Sequence, residues 1–186
     1  ELDEGFLAYS KPYETEGVLF QLDILEVCKW LYKNEFIEAV PATKEEAKDK
    51  ILALDEETAE GPLMTLLHTL SHVLIRRSSV YTGLDSDSCS ELIFPRSASF
   101  FIYSTSNINT GGFQYIFENE IRNWFNDIDS DIRFCTFDPS CLAETGACFA
   151  CCYLPEYVCN HFNKRLNRDT LLGREHFSGF WTSANY

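Results

Sequence analysis

Apolar positions recur along the chain with two alternating periods. Gly17-Val18-Leu19-Phe20-Gln21-Leu22 is a short run of large apolar residues behind a glycine, which predicts a strand. From Asp23 the period lengthens. Leu25, Val27, Cys28, Leu31 and Tyr32 fit a helix with Asp23 as its cap. Pro41 breaks the pattern, and Thr43-Lys44-Glu45-Glu46 is a capping box that opens a charged helix to about Leu54. Gly61-Pro62 launches the clearest helix, to about Arg77, with proline in its first turn. Leu63, Leu66, Leu67, Leu70, Val73 and Leu74 share one face of it, while Thr65, His68, Thr69, His72 and Arg76 share the other. Glu91 to Phe94 and Ser99 to Tyr103 predict two short strands, the second apolar enough to be central in a sheet. A Gly111-Gly112 turn leads to a helix from about Phe113 to Phe125. Asn160 to Arg168 predicts a basic helix, and the aromatic tail from Phe177 reads as an edge strand or a packed tail. The expected fold class is α+β: a small mixed sheet with packed helices and a four-cysteine knuckle towards the C-terminal end.

Composition narrows the function classes. The chain has 186 residues, 45% of them hydrophobic and 15% aromatic, enough for one core and a satellite lobe. No apolar run approaches the roughly 20 residues of a membrane helix. The opening ELDEGFLAYS lacks the basic and apolar regions of a signal peptide. It also lacks an initiator Met, so the chain is expected to be a processed or excised piece, or the C-terminal part of something larger. Net charge is −14, from 29 acidic and 15 basic residues. Nucleic-acid affinity rests on basic groups releasing counterions at phosphates, so only a local patch could supply it here. The acidic surface suits a protein that docks on a basic partner.

The densest chemistry lies in CTFDPSCLAETGACFACCYLPEYVC, residues 135–159, which holds six of the eight cysteines. Cys141-x6-Cys148-x2-Cys151-x7-Cys159 has the spacing of a structural zinc site. Two residues between cysteines turn both sulfurs of a knuckle to one point, and a cysteine from each flank completes a tetrahedron. Cys135 is the alternate for Cys141. Cys152 follows Cys151 directly and should point elsewhere. A disulfide cluster, buried free thiols and an iron–sulfur cluster are the competing readings. Disulfides suffer because nothing else looks secreted. Cys28, among apolar residues, reads as a core thiol.

Weaker signals surround this one. His68 and His72 stack four apart on one helix face, but Thr69 stands where zincins carry a glutamate, and no third ligand is evident in the sequence. A polar contact surface or a buried hydrogen-bonding pair is the expectation for them. The Gly-Gly turn could expose backbone N–H groups to an anion, though close packing is the simpler role. Asp127-x-Asp129-x-Asp131 resembles the front of a calcium loop, but Ile132 replaces its glycine and Asp138 its final glutamate, leaving a solvated acidic turn. His161, Lys164, Arg165 and Arg168 form the most basic segment, which either meets phosphate or a partner or pairs with the chain's carboxylates.

Three stretches together resemble a known family. LHTLSHVLIRR (67–77), the strand and Gly-Gly turn (99–112), and CTFDPSCLAETGACFACCYLPEYVCNHFNKRLNR (135–168) are similar in order to the MrfA-type zinc-binding (MZB) domain, whose signature runs C-x-x-D-P-x-C, A-C-H-x-C-L and E-x-x-C-x-x-F-N-x-x-L-D-R. The agreement spans about residues 62–173. It departs at Phe149, at Cys152 and at Leu166-Asn167-Arg168. The first and last motifs look most similar to the DrmB-like branch, helicase-partner subunits of the DISARM anti-phage system. The resemblance implies a lead-in segment (1–61) followed by the zinc-binding domain (62–186). It also implies a structural Zn2+ held by Cys141, Cys148, Cys151 and Cys159, with Cys135 in reserve. The implied partner is a superfamily 2 helicase, in trans or in the same polypeptide, acting on DNA in the cytoplasm without membrane contact. The resemblance further implies a non-catalytic module of a DNA helicase or helicase-partner subunit, in bacterial anti-phage defence or DNA repair.

Two rival readings come from other classes. One is a thiol enzyme with Cys152 or Cys89 as nucleophile and His68, His72 or His161 as base. The other is direct DNA binding by the 160–168 segment.

Overall fold

The computed structural model describes residues 12, 14–106 and 109–183. Its sheet has three strands: β1 (Gly17–Gln21), β2 (Cys89–Phe94) and β3 (Ser99–Ser104), in the order β1-β3-β2. The expected mixed sheet is antiparallel in both pairings, with Val18 opposite Ile102 and Glu91 opposite the same Ile102. β3 is central, as its run of apolar residues predicts. Phe100 and Ile102 are fully buried, and Phe20 stacks on Phe100 at 5.0 Å. Strand alternation sends every second residue of β2 inward, so Cys89 and Glu91 enter the core while Leu92 and Phe94 face out.

Helices cover the inner face. Asp23 caps α1 (Ile24–Lys33) by accepting from the Leu25 and Glu26 amides. Thr43 caps α2 (Lys44–Leu52) through the Glu46 amide, and Glu46 reaches back to the amide of Ala42. A single turn, α3 (Glu56–Thr58), leads into a π-helical turn at Ala59–Leu63 that contains Pro62. It runs without a break into α4 (Met64–Thr82), so the boundary expected at 61/62 falls inside continuous helix. α4 extends beyond the predicted end at Arg77. Gly83 stops it in the left-handed conformation (φ 68°), its amide bonded to Ser79 O.

α4 is the axis of the molecule. Both of its expected faces are buried, from Leu66 and Leu70 on one to His68, Thr69 and His72 on the other. α6 (Ile121–Ile132) lies against it, reached through α5 (Gly112–Tyr115) and a π-helical segment at Ile116–Glu120. Trp124 is fully buried and donates to the Leu74 carbonyl. The acidic triplet lies on α6 rather than in a turn. Asp127 pairs with Arg77 at 2.8 Å and Asp129 with Arg133 at 2.7 Å. The Gly-Gly turn already holds an anion, the carboxylate of Glu16, which accepts from the amides of Thr110, Gly112 and Phe113.

The C-terminal region departs most from expectation. Residues 160–168 are turns rather than a helix, because Phe162, Asn163 and Arg165 adopt positive φ (53°, 54° and 58°). Two short helices follow, α8 (Asp169–Leu172) and α9 (Phe180–Ser183). The tail packs instead of forming an edge strand: Phe177 and Phe180 meet the buried Trp30 edge-on at 5.9 and 6.3 Å. The same core thus joins the first helix to Phe177 and Phe180.

Candidate metal centre

Four sulfurs converge in a knuckle built almost wholly from local turns. Cys135 starts the first turn, its amide bonded to Asp138 Oδ2 at 2.9 Å. Cys141 sits in the first turn of α7 (Ser140–Glu144). The Cys148 carbonyl accepts from the amides of Cys151, Cys152 and Tyr153, which folds the CxxC segment tightly. The Sγ atoms lie 3.4 Å apart for Cys135–Cys148 and 3.8 Å for both Cys141–Cys151 and Cys148–Cys151. A tetrahedral ion with metal–sulfur bonds of about 2.3 Å places its sulfurs roughly 3.8 Å apart, so this donor set fits a thiophilic divalent ion. All eight cysteines are free thiols. The amides of Phe137 and Cys148 point at Cys135 Sγ and Cys151 Sγ, which favours thiolate character.

The electrostatics of the cluster call for a cation. Burial pushes the Cys141 thiol well up. Cys151 is also raised, first by its hydrogen bond with Cys152 and then by burial. Burial works in the same direction at Cys148, but the Ala150 amide and the neighbouring thiols outweigh it and bring Cys148 to about 7. One thiolate is thus readily formed, and burial and hydrogen bonds with neighbouring thiols, with charge repulsion added to them, make Cys141 and Cys151 resist. A bound dication reverses that balance.

Arg168 supplies part of the compensation. It is fully buried and donates to Asp138 Oδ1 at 2.7 Å, Ile132 O at 2.9 Å and Gly146 O at 3.2 Å. Its terminal nitrogen also lies 3.7 Å from Cys141 Sγ. Gly146 allows the approach: it has φ 67°, and a Cβ there would sit 2.2 Å from Asn167 Oδ1.

The sequence-predicted residues therefore separate. Cys141, Cys148 and Cys151 come together, and Cys135, the alternate, completes the group of four. Cys159 is elsewhere. Its Sγ lies 3.2 Å from His68 Nε2, in a second buried group made of His68, His72, Glu91 and Cys159. The four residues expected to form a basic contact surface separate too. His161, Lys164 and Arg165 are exposed, and Arg165 pairs with Glu60 at 3.5 Å. Arg168 is an internal support of the knuckle rather than a surface contact, because its buried guanidinium lies against Asp138 and Cys141 Sγ. Glu91 carried no expectation beyond its strand. The signal was the alternation Cys89-x-Glu91-x-Ile93, which puts a carboxylate on the apolar face of β2 and demands polar partners inside.

No family model matches the chain. The chain is similar to the DISARM protein DrmB of Bacillus paralicheniformis, at 25% identity over 178 residues that cover 84% of this chain. The match covers 31% of that protein, so the chain spans about a third of the length of the relative it matches. No described helix is long and apolar enough to cross a membrane.

Proposed function

We propose that this chain is a structural zinc module of a DISARM-type anti-phage defence protein, a non-catalytic part that supports a superfamily 2 helicase acting on DNA in the cytoplasm. The observation that carries the reading is the knuckle of Cys135, Cys141, Cys148 and Cys151 braced by the buried Arg168. Four thiolates fill the coordination shell and leave no open position, which is the arrangement of a structural rather than a catalytic ion. The similarity to DrmB over most of the chain supports the defence context, and the C-x-x-D-P-x-C motif, at Cys135 and Cys141, supports the MZB resemblance.

The thiol-enzyme reading finds little support. Cys152 and Cys89 are both fully buried, and burial pushes Cys89 up to about 11. A reactive thiol needs a partly exposed, electropositive setting.

The test is a pull-down of the tagged chain, or of the longer protein that contains it, from its native host. The lysate is nuclease-treated, washed at high salt and read by mass spectrometry. A stoichiometric helicase in the eluate, or a helicase domain in the same polypeptide, is the expected result. Recovery without any motor protein would remove the helicase-support reading.

A further inference from the structure

The second buried group is not used by the reading above. His68 and His72 lie one turn apart on α4, Glu91 comes from β2, and Cys159 comes from the loop after the knuckle. Relative exposures are 0%, 0%, 1% and 2%. His68 Nε2 stands 3.1 Å from Glu91 Oε1 and 3.2 Å from Cys159 Sγ, and His72 Nε2 stands 3.0 Å from the same Oε1. Four donor atoms of three elements thus face one point inside the core.

The surroundings orient these donors as they would around a metal ion. His72 Nδ1 lies 2.9 Å from the Cys152 carbonyl oxygen, which can only accept, so Nδ1 carries a proton and Nε2 is the atom turned inward. The other carboxylate oxygen of Glu91 accepts from Ser71 Oγ, which leaves Oε1 as the inward donor. The amides of His161 and Asn163 each point at Cys159 Sγ at 3.4 Å, as they do at a thiolate. Among the described residues His68 Nδ1 has no hydrogen-bond partner, so hydrogen bonds hold that ring from its Nε2 side, and His161 packs edge-on against it at 5.2 Å. His72 Nε2 meets Glu91 Oε1 at 3.0 Å through a proton or through a shared metal ion, and the ion would serve His68, Cys159 and both of these donors at once. Tetrahedral bonds of about 2.0–2.3 Å give donor separations of roughly 3.3–3.6 Å; three pairs here stand at 3.0–3.2 Å, and all four donor atoms lie within 4.8 Å of one another.

We propose that His68, His72, Glu91 and Cys159 bind a second divalent first-row transition ion, chemically distinct from the all-sulfur site. Two imidazoles, a carboxylate and one thiolate suit zinc best, because the set mixes hard, borderline and soft donors. Full burial and four protein ligands make the ion structural. It ties α4, β2 and the 159–163 loop together across the core. The proposal does not rest on the defence reading.

The experiment uses the purified full chain, expressed with ample zinc and purified without chelator. Elemental analysis counts the ions, and X-ray absorption at the edge of the metal found gives the donors. The expected result is two ions per chain with a mean shell of about 2.5 sulfurs and 1.5 nitrogen or oxygen donors, from five sulfurs and three lighter donors across the two sets of ligands. Cys159→Ser should drop the count to one and leave an all-sulfur shell. One ion with four sulfurs in the wild-type chain would overturn the second site and leave the knuckle standing. One ion with a mixed shell would support the second site and remove metal from the knuckle. A metal-free folded chain would overturn both, leaving the cluster a network of imidazolium and carboxylate.

Discussion

The two buried donor groups are opposites in construction. The knuckle takes its four sulfurs from residues 135–151, a contiguous stretch shaped by its own turns. The second group draws on residues 68, 72, 91 and 159, which only the packing of α4 against the sheet and the 159–163 loop brings together. A local cluster costs little loop entropy to assemble, so a short sequence can encode it. A dispersed cluster must be assembled by the whole core, and its integrity therefore reports on the whole core. Their charges differ as well. The knuckle gathers thiols that repel one another once ionised and leans on Arg168. The second group contains its own potential counter-charges in two imidazoles and one carboxylate.

The comparison can be broken hardest at the knuckle. Cys148→Ser removes one of four ligands. Structural zinc contributes about 10–16 kcal/mol in small modules, comparable to or above the about 5–15 kcal/mol of a whole domain. The expected outcome is loss of the cooperative unfolding transition by circular dichroism, and a soluble variant with unchanged melting would mean the knuckle does not hold the fold.

Arg168→Met comes next. It leaves Asp138 and the sulfurs without their buried cation and the Ile132 carbonyl without its guanidinium donor, while Gly146 O keeps the amide of residue 168. The expected cost is about 3–5 kcal/mol, the range for breaking a buried ion pair from one side. Urea denaturation measures it. A cost under about 1 kcal/mol would show that Arg168 is a bystander to the knuckle.

Glu91→Gln strikes the second group alone, at about 1–3 kcal/mol for a buried acceptor lost to two partners. The knuckle metal should remain bound. Its pH signature is separate. Burial pushes the Glu91 carboxyl up, but hydrogen bonds from His68 and His72 outweigh it and hold it well below the usual carboxylate range. A lowered folded value means the contribution is fully present above the ordinary glutamate value of about 4.3 and is lost as pH falls through the folded value. The wild type should therefore lose melting temperature on acidification below about pH 4, and Glu91→Gln should lose less. Parallel acid limbs in the two proteins would argue against an ionised Glu91.

The smallest effect belongs to the exposed loop that lies between the groups. Lys164→Glu with Arg165→Glu should move stability by no more than about 0.5 kcal/mol, since both side chains are exposed. If this loop meets nucleic acid, the same pair should weaken DNA binding and flatten its salt dependence. Fluorescence anisotropy at two salt concentrations would decide, with unchanged binding removing the surface from consideration.

Much of this molecule was legible in the chain. Local rules set the caps at Asp23 and Thr43 and the three strands, because each depends on a few neighbouring residues. The same holds for the CxxC turn, where two intervening residues fix both sulfurs. Spacing offered Cys135 only in place of Cys141, whereas the structure brings both together and leaves Cys159 out. That choice turned on the Asp138 turn and on where the chain runs after Val158, which are matters of tertiary path. The 160–168 helix failed for a related reason. Its residues have helical composition, yet the loop must keep Cys159 in the core and return Arg168 to the knuckle, and positive φ at three residues makes that path. Glu91 and the histidine pair were each visible as single residues but not as partners. A buried carboxylate requires a counter-charge or an ion, and only the packing of the sheet against α4 decided which one it would meet.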